Sequence, residues 1–411
     1  MDIPKFKDIT KKLSFLKDYS SLSVPSAIGL VAVFLFIITS FMGRKLAKQI
    51  TDESISKGGQ QIKSLSRNVP SRDQWKVEEE YQRAHEKDAN AIALLALQGS
   101  KRQLLSYKIF PEPKDTSAFL FKKFGQEFRI AVDGLITRVN GRDCPTDAEL
   151  DAAISAAETG ASGAKKSSGT LGAAIIDSLC QKKAEAASVY ANPADVSGYE
   201  FWENYQYVGV DKAVEDCWYW QLGYWIIEDV FDTIGALNSG SMSVLNSPAK
   251  RLMDVSFSKS ASHVRERAAD DKPHYVFSVA DGFCEPWTER FSNDYIDVVH
   301  FNIAVLVSTK AVLPFMRQLC SAKEQKFRGF FDSEPEQNYK HSQITILESK
   351  MEPIEQEDEK THGYYRYGED AVVKLDLICE YIFNKSAYDE IKPVLLKKQP
   401  VSPIVQPKNY E

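Results

Sequence analysis

The chain opens on a long apolar run. No charged residue occurs between Tyr19 and Gly43, and Val24 to Met42 is apolar almost throughout. About twenty helical residues at 1.5 Å rise cover roughly 30 Å, the thickness of bilayer hydrocarbon. A secretory signal has an apolar core of only about 7–15 residues and ends at a small-x-small cleavage site. Here the run is longer, and Arg44-Lys45 closes it. A core helix of a soluble domain rarely stays apolar on every side for this length. The pattern predicts a retained membrane helix over 24–43 behind a tail of residues 1–23, and no comparable run follows.

Beyond the span the apolar positions thin out. Leu46, Ile50, Ile55, Ile62 and Leu65 have the spacing of a thin helical stripe or a coiled-coil seam. Gly58-Gly59 weakens it and Val69-Pro70 stops it. Ser71-Arg-Asp73 opens a second helix that runs through Trp75, Val77 and Tyr81 into Ala89–Leu97. Residues 44–110 therefore read as a helical or coiled stalk, packed on its own domain or paired with another chain. Pro111-Glu-Pro113 is a break. Phe119, Phe121, Phe124, Phe128, Val132, Leu135 and Val139 then predict a helix over about 115–140. Two further helices, about 146–158 and 171–188, flank a Gly- and Ser-rich loop at 159–169. Nothing here has the period of a strand, so 111–198 is expected to be an extra helical domain.

The pattern changes after Tyr199. Val214, Trp218, Leu222, Ile226, Val230 and Ile234 step by four, and Trp225, Ile227 and Phe231 widen the row. This is a long helix lying on a large hydrophobic surface, ended by Asn238-Ser-Gly240. Then the period becomes two. Met253/Val255/Phe257, Tyr275/Phe277/Val279, Phe301/Ile303/Val305/Val307, Ile344/Ile346 and Val373/Leu375/Leu377/Cys379/Tyr381 all alternate. Alternation of this kind predicts antiparallel sheet with one face buried and one exposed. Helices are expected at about 310–323 and 386–397, a hairpin near 262–292, and an acidic loop insertion from Glu352 to Lys360. The order is αββαββ. Two helices on one face of a four-stranded antiparallel sheet make a ferredoxin-like domain, here permuted to begin at a helix. The fold class is α+β: one N-terminal transmembrane helix, a stalk, the helical domain, this sheet domain over 199–398, and a tail over 399–411.

Composition adds three constraints. Of 411 residues, 43% are hydrophobic and 26% charged, enough to bury a core. The net charge of −6 argues against nucleic acid as a partner. The tail carries Lys5, Lys7, Lys11, Lys12 and Lys17 against Asp2, Asp8 and Asp18, leaving the rest of the chain near −8. Basic residues are balanced about the span, so charge does not orient it; a short tail is easily kept cytoplasmic, with the large acidic portion outside. The six cysteines, Cys144, Cys180, Cys217, Cys284, Cys320 and Cys379, lack any Cys-x-x-Cys pair. They read as disulfide partners or, more in keeping with their scatter, as buried small residues.

Three stretches carry a resemblance: Cys217–Val230 followed by Asn246–Leu252, Asp297–Ile303, and Tyr367–Leu375. With the tail and the span, they resemble the PilO/GspM class of bitopic inner-membrane assembly proteins of type IV pili and type II secretion systems. Within it the chain is most similar to large pilus-like membrane proteins of planctomycete and verrucomicrobial type. The resemblance covers the tail, the span and about 199–385. Residues 111–198 depart from it. It implies a permuted ferredoxin-like periplasmic domain on an inner-membrane anchor. It also implies a non-enzymatic role: pairing with itself or a homologous bitopic protein, and linking cytoplasmic to outer-membrane components of the machine.

Candidate chemistry is sparse. His85, His263, His274, His300, His341 and His362 show no zinc-ligand spacing, and no nucleophile elbow or phosphate-binding glycine loop occurs. No catalytic, cofactor-binding or metal-binding residue is therefore assigned. Glu228, Asp229 and Asp232 are expected on the solvated face of the long helix, and Glu352, Glu355, Glu357, Asp358 and Glu359 on a solvated loop. Tyr and Trp crowd 199–225. Trp202, Trp218, Trp220 and Trp225 are the candidate interaction residues, since aromatics dominate interface hot spots; filling a deep core is the equal alternative. The leading expectation is a single-pass scaffold. The alternative is an anchored extracytoplasmic sensor or ligand-binding protein using 111–198, with an anchored enzyme third.

Overall fold

The structure is a computed structural model and describes residues 20–51, 58–67, 72–160, 170–257, 271–277, 288, 290–355 and 358–397. The chain divides into two compact units, Met1–Ala89 and Asn90–Glu411.

The first unit is helical. Helix α1 (Ser20–Ile50) contains the apolar run and continues past it. Within its segment Pro25–Ile50 an 18-residue window has a mean hydropathy of 2.2, none of it buried by the rest of the chain, and the helix is long and apolar enough to cross a membrane. Thr39 returns its hydroxyl to the Leu35 carbonyl at 2.9 Å, which satisfies the polar group inside the helix. Helix α2 (Gly58–Arg67) follows, and α3 (Arg72–Gly99) runs from this unit into the second.

The second unit is built on one sheet. Its elements are α4 (Ala118–Arg138), β1 (Gly141–Arg142), α5 (Asp147–Gly160), α6 (Thr170–Ala186), β2 (Val189–Tyr190), α7 (Tyr199–Glu203), α8 (Val210–Leu237), β3 (Ala249–Ser256) and β4 (Ile296–Ser308). Then come α9 (Val312–Leu319), β5 (Lys323–Phe327), β6 (Gln337–His341), β7 (Ile344–Pro353), α10 (Glu359–His362), β8 (Val372–Asn384), α11 (Lys385–Tyr388) and α12 (Val394–Lys397). The strand order is β1-β2-β3-β4-β8-β7, with β5-β6 a separate hairpin. From β3 to β7 every neighbour is antiparallel. Taken with α8 and α9, the order β3-β4-β8-β7 is that of a ferredoxin-like sheet circularly permuted to start at a helix. The α+β class with its αββαββ core thus follows from the strand connections.

Several expectations change. Residues 111–198 were expected to lack strands, but β1 and β2 add in parallel beyond β3 and make the sheet mixed. Those residues do not form a core of their own: Phe121, Phe124, Phe128 and Val132 join the same cluster as α8 and the sheet. A stalk ending at 110 is also too long. Residues from Asn90 belong to the second unit, and Leu104, Ile109 and Phe110 lie in its core. The expected terminal helix over 386–397 is two short pieces, because Pro393 cannot continue the first. The hairpin near 262–292 falls largely outside the described residues, and its described parts, 271–277, 288 and 290–292, contain no strand.

The sheet is not half-exposed. On β4, Val299, Phe301, Ile303, Val305 and Val307 face α8, but Val298, His300, Ala304 and Leu306 on the opposite face are buried too. At one end Ala184, Ala187, Tyr190, Val244, Met253 and Tyr367 cover that face. Helix α8 is buried on nearly all sides, which leaves little polar stripe along it.

Candidate functional site

The four candidate tryptophans are interior. Trp202, Trp218, Trp220 and Trp225 are all buried and belong to the main core. Trp218 meets Phe110 edge-on at 5.2 Å, and Trp220 meets Phe128 at 5.7 Å. Trp202 packs on Phe124 at 5.4 Å. Gly125 allows this, since a Cβ there would stand 2.5 Å from the Trp202 ring. The aromatic crowding is therefore used where α4, α7 and α8 converge. An interaction surface made of these rings is corrected to a core: α4 covers Trp202 and Trp220, Phe110 and Tyr388 cover Trp218, and Phe383 lies on Trp225.

The acidic residues of α8 are corrected as well. Asp229 is buried, not solvated. Arg102 contacts it at 3.0 Å and donates to Glu228 at 2.7 Å and to the Tyr381 hydroxyl at 2.8 Å. Tyr381 in turn donates to Asp229 Oδ2 at 2.9 Å, and His341 Nε2 stands 3.4 Å from Oδ1. Burial works against the charged form of Asp229. The Arg102 guanidinium, with His341 and Lys323, outweighs it and holds the carboxyl below its ordinary value. Lys323 itself caps the end of α9 through the Leu319 carbonyl at 2.6 Å, and burial lowers its pKa. Asp232 behaves differently. Burial pushes it up to about 6 despite its ion pair with Arg138.

This network fastens the segment that follows α3. Gln325 of β5 donates to the Gly99 carbonyl at 2.9 Å. Trp225 donates its indole N–H to the Gln103 carbonyl at 2.7 Å, and Gln221 accepts from the Leu105 N–H at 2.8 Å. A Cβ at Gly99 would stand 2.2 Å from the Lys340 carbonyl oxygen. From Gly99 to Leu105, side chains of β5 and α8 thus hold the backbone at every second residue, and Tyr381 of β8 holds the Arg102 side chain between them. Arg102 is the member of this site that no motif or spacing singled out. Its signal lay in α8: a helix apolar on all sides puts its few acids indoors, and a buried acid needs a cation.

Two of the resemblance segments, Asn246–Leu252 and Tyr367–Leu375, meet at a second place. Lys250 of β3 is buried and donates to the carbonyls of Val244 and Leu245 at 2.9 and 2.8 Å. Gly368 has φ +82°, and a Cβ there would stand 2.3 Å from the Leu245 oxygen. Beside them a cleft of about 1090 Å³ is lined by Gln181, Asn246, His362, Tyr365, Arg366 and Glu369, among others. The Arg251 guanidinium covers the Tyr365 ring at 3.7 Å, and His362 Nδ1 stands 2.9 Å from the Tyr367 hydroxyl. Burial pushes the Cys144 thiol up and His362 down. Both shifts favour neutral forms, the reverse of an activated thiolate or a charged acid. Asp297 of the second stretch takes Lys392 at 2.7 Å and the Tyr388 hydroxyl.

Other candidates fall as follows. His300 is buried in β4, and burial with nearby His274 takes it down to about 4. Among the described residues no group of three His, Cys, Asp or Glu side chains is arranged to hold a metal ion. Cys144, Cys180, Cys217, Cys320 and Cys379 are free thiols. Cys284, Glu357 and the 161–169 loop lie outside the described residues. Glu352 is in β7, paired with Lys350 at 2.7 Å, rather than in a loop.

Comparison of the sequence with known protein families gives no match. Comparison with curated proteins gives none either. A solved structure from Akkermansia muciniphila aligns with 75% of this chain and 95% of its own, at 9% identity and a TM-score of 0.29. The fold assignment rests on the strand order alone. It defines an α+β protein with a permuted ferredoxin-like core and an N-terminal helix long and apolar enough to span a membrane.

Proposed function

We propose that this chain is a non-enzymatic, single-pass inner-membrane scaffold of a type IV pilus or type II secretion-like assembly machine. Its tail would be cytoplasmic and its bulk periplasmic. Its partners would be a second copy or a homologous bitopic protein, together with other components of the machine. The observation that carries this reading is the combination of one span-length helix with a permuted αββαββ sheet behind it. The segment from Gly99 to Leu105, laced to α8 and β5, supports it, since a scaffold's domain needs a firmly held entry point for its chain. The test is crosslinking of the full chain in native membranes, followed by identification of what is captured. Capture of bitopic envelope proteins is expected. Recovery of monomer alone refutes the reading.

The polar cleft beside His362–Asp370 favours one alternative, an anchored ligand-binding protein. A small-molecule screen that raises the unfolding midpoint, with protection at Gln181 and Asn246, would support it over the scaffold.

A further inference from the structure

We propose that two copies of the chain join their sheets by antiparallel pairing of β7 with β7, about a two-fold axis at Ser349. This deepens the self-association named above, and rests on that reading only for confinement of both copies to one membrane.

Strand β7 ends the sheet, and among the described residues no strand pairs with its outer side. Which backbone groups it presents follows from the register. The Ile382 N–H donates to the Gln343 carbonyl at 3.0 Å. Strand β8 pairs with β4 without a register shift, so Ile382, Glu380, Ile378, Asp376 and Lys374 all turn toward β7. Ile378, Asp376 and Lys374 pair with Glu348, Lys350 and Glu352, which therefore turn inward. Ser349 and Met351 turn their N–H and C=O outward. Ser349 and Lys350 are exposed, and Met351 is 59% exposed.

Two features delimit this edge. A register shift separates Ile346 from Glu348, and Pro353, without an N–H, stands at the far end. Bulges, prolines and lysines commonly defend edges against pairing. Here the bulge falls at Leu347, which has no partner in β8, so the regular stretch between it and the proline is residues 348–352. Centred on Ser349, this stretch is self-complementary. Ser349 meets Ser349, and Glu348 meets Lys350 of the second copy, twice. Centring on Met351 would set Ser349 against Pro353 and lose a donor. Centring on Leu347 would put the bulge at the axis. Parallel, in-register pairing would stack Glu348 on Glu348, and like charges directly opposite repel. The charge order thus selects an inverted second copy. Lys350 already pairs with Glu352, but both are well exposed, so sharing it across the axis loses little. Three residues of regular edge pairing are weak in free solution. Anchoring both copies by α1 raises their effective concentration and makes the contact sufficient.

The test is oxidation of the full chain carrying Ser349→Cys in membranes, with Ser239→Cys, exposed but off the edge, as control. Facing residues in a hydrogen-bonded antiparallel pair lie about 5.5 Å apart at Cα, within disulfide reach. Dimer is expected from Ser349→Cys and not from Ser239→Cys. Adding Glu348→Lys or Lys350→Glu alone should lower the dimer yield about tenfold, and combining them should restore it. If circular dichroism shows a reversal variant misfolded, the comparison of Ser349→Cys with Ser239→Cys decides. Equal yields from those two, or yields that ignore both folded single reversals, overturn the proposal. Capture of another bitopic protein, or of a second copy through residues 72–89 only, leaves the scaffold standing and overturns the β7 pairing.

Discussion

Replacing Arg102 with Met removes the cation from the most deeply buried charge pair described here. Arg102 and Asp229 have side chains only 3% and 1% exposed, so water cannot take over when one partner goes. Glu228, at 26%, can rehydrate and adds little to the loss. Asp229 keeps the Tyr381 hydroxyl at 2.9 Å, which softens the effect. Removal of one partner of a buried pair costs about 3–5 kcal/mol, and the remaining hydrogen bond puts this case near 3. Urea unfolding of the detergent-solubilised chain, followed by tryptophan fluorescence, reads the change. The pH dependence gives a sharper signature. In the natural protein the Asp229 pKa is depressed, so its contribution is present above the unfolded carboxylate range and lost as pH falls through the folded value. Without Arg102, burial raises that pKa above the unfolded value. The variant should then gain stability relative to the natural protein on going from pH 7 to about 5, as Asp229 takes up a proton. Adding Asp229→Asn should recover at least half of the loss at pH 7. A single variant within about 0.5 kcal/mol of the natural protein, or a double variant no better than the single, would refute the account.

Trp220→Ala and Trp225→Ala should each destabilise the second unit by about 3–5 kcal/mol through the cavity left in the core. Chemical denaturation measures this; loss of self-association with unchanged stability would show instead that the rings serve an interface. Asp232, pushed up to about 6 by burial, binds a proton in the folded state that the unfolded chain has released. Its contribution to stability therefore falls as pH rises from about 4 to 6, by an amount on the order of 1–3 kcal/mol. Asp232→Asn should flatten the stability profile across that window, and an unchanged slope would contradict the assignment.

The sheet's connections were legible because alternation and helical spacing survive in the residues themselves. Val299 to Val307 and Leu375 to Tyr381 point every second side chain at α8, and their period announced it. The parallel strands β1 and β2 were not legible. Two residues each are too short to show a period. The tryptophans of 199–225 were ambiguous for a related reason. Density of aromatic residues tells how much apolar surface must be covered, but not whether the cover comes from the same chain. Here α4 and the strap at Leu104–Phe110 supply it.

By itself the sequence determined the apolar helix, the helix and strand periods, and their αββαββ order. These are local quantities, set by side-chain spacing within about one element. Only the tertiary structure decided which polar groups lie inside. Asp229 has the same neighbours along α8 whether it meets water or Arg102, and its helix cannot report a cation brought in from the segment after α3. Arg102 and the adjacent Glu228 are 126 residues apart in the chain. Likewise the order of strands left β7 at an edge, and only its register against β8 showed which of its backbone groups face outward.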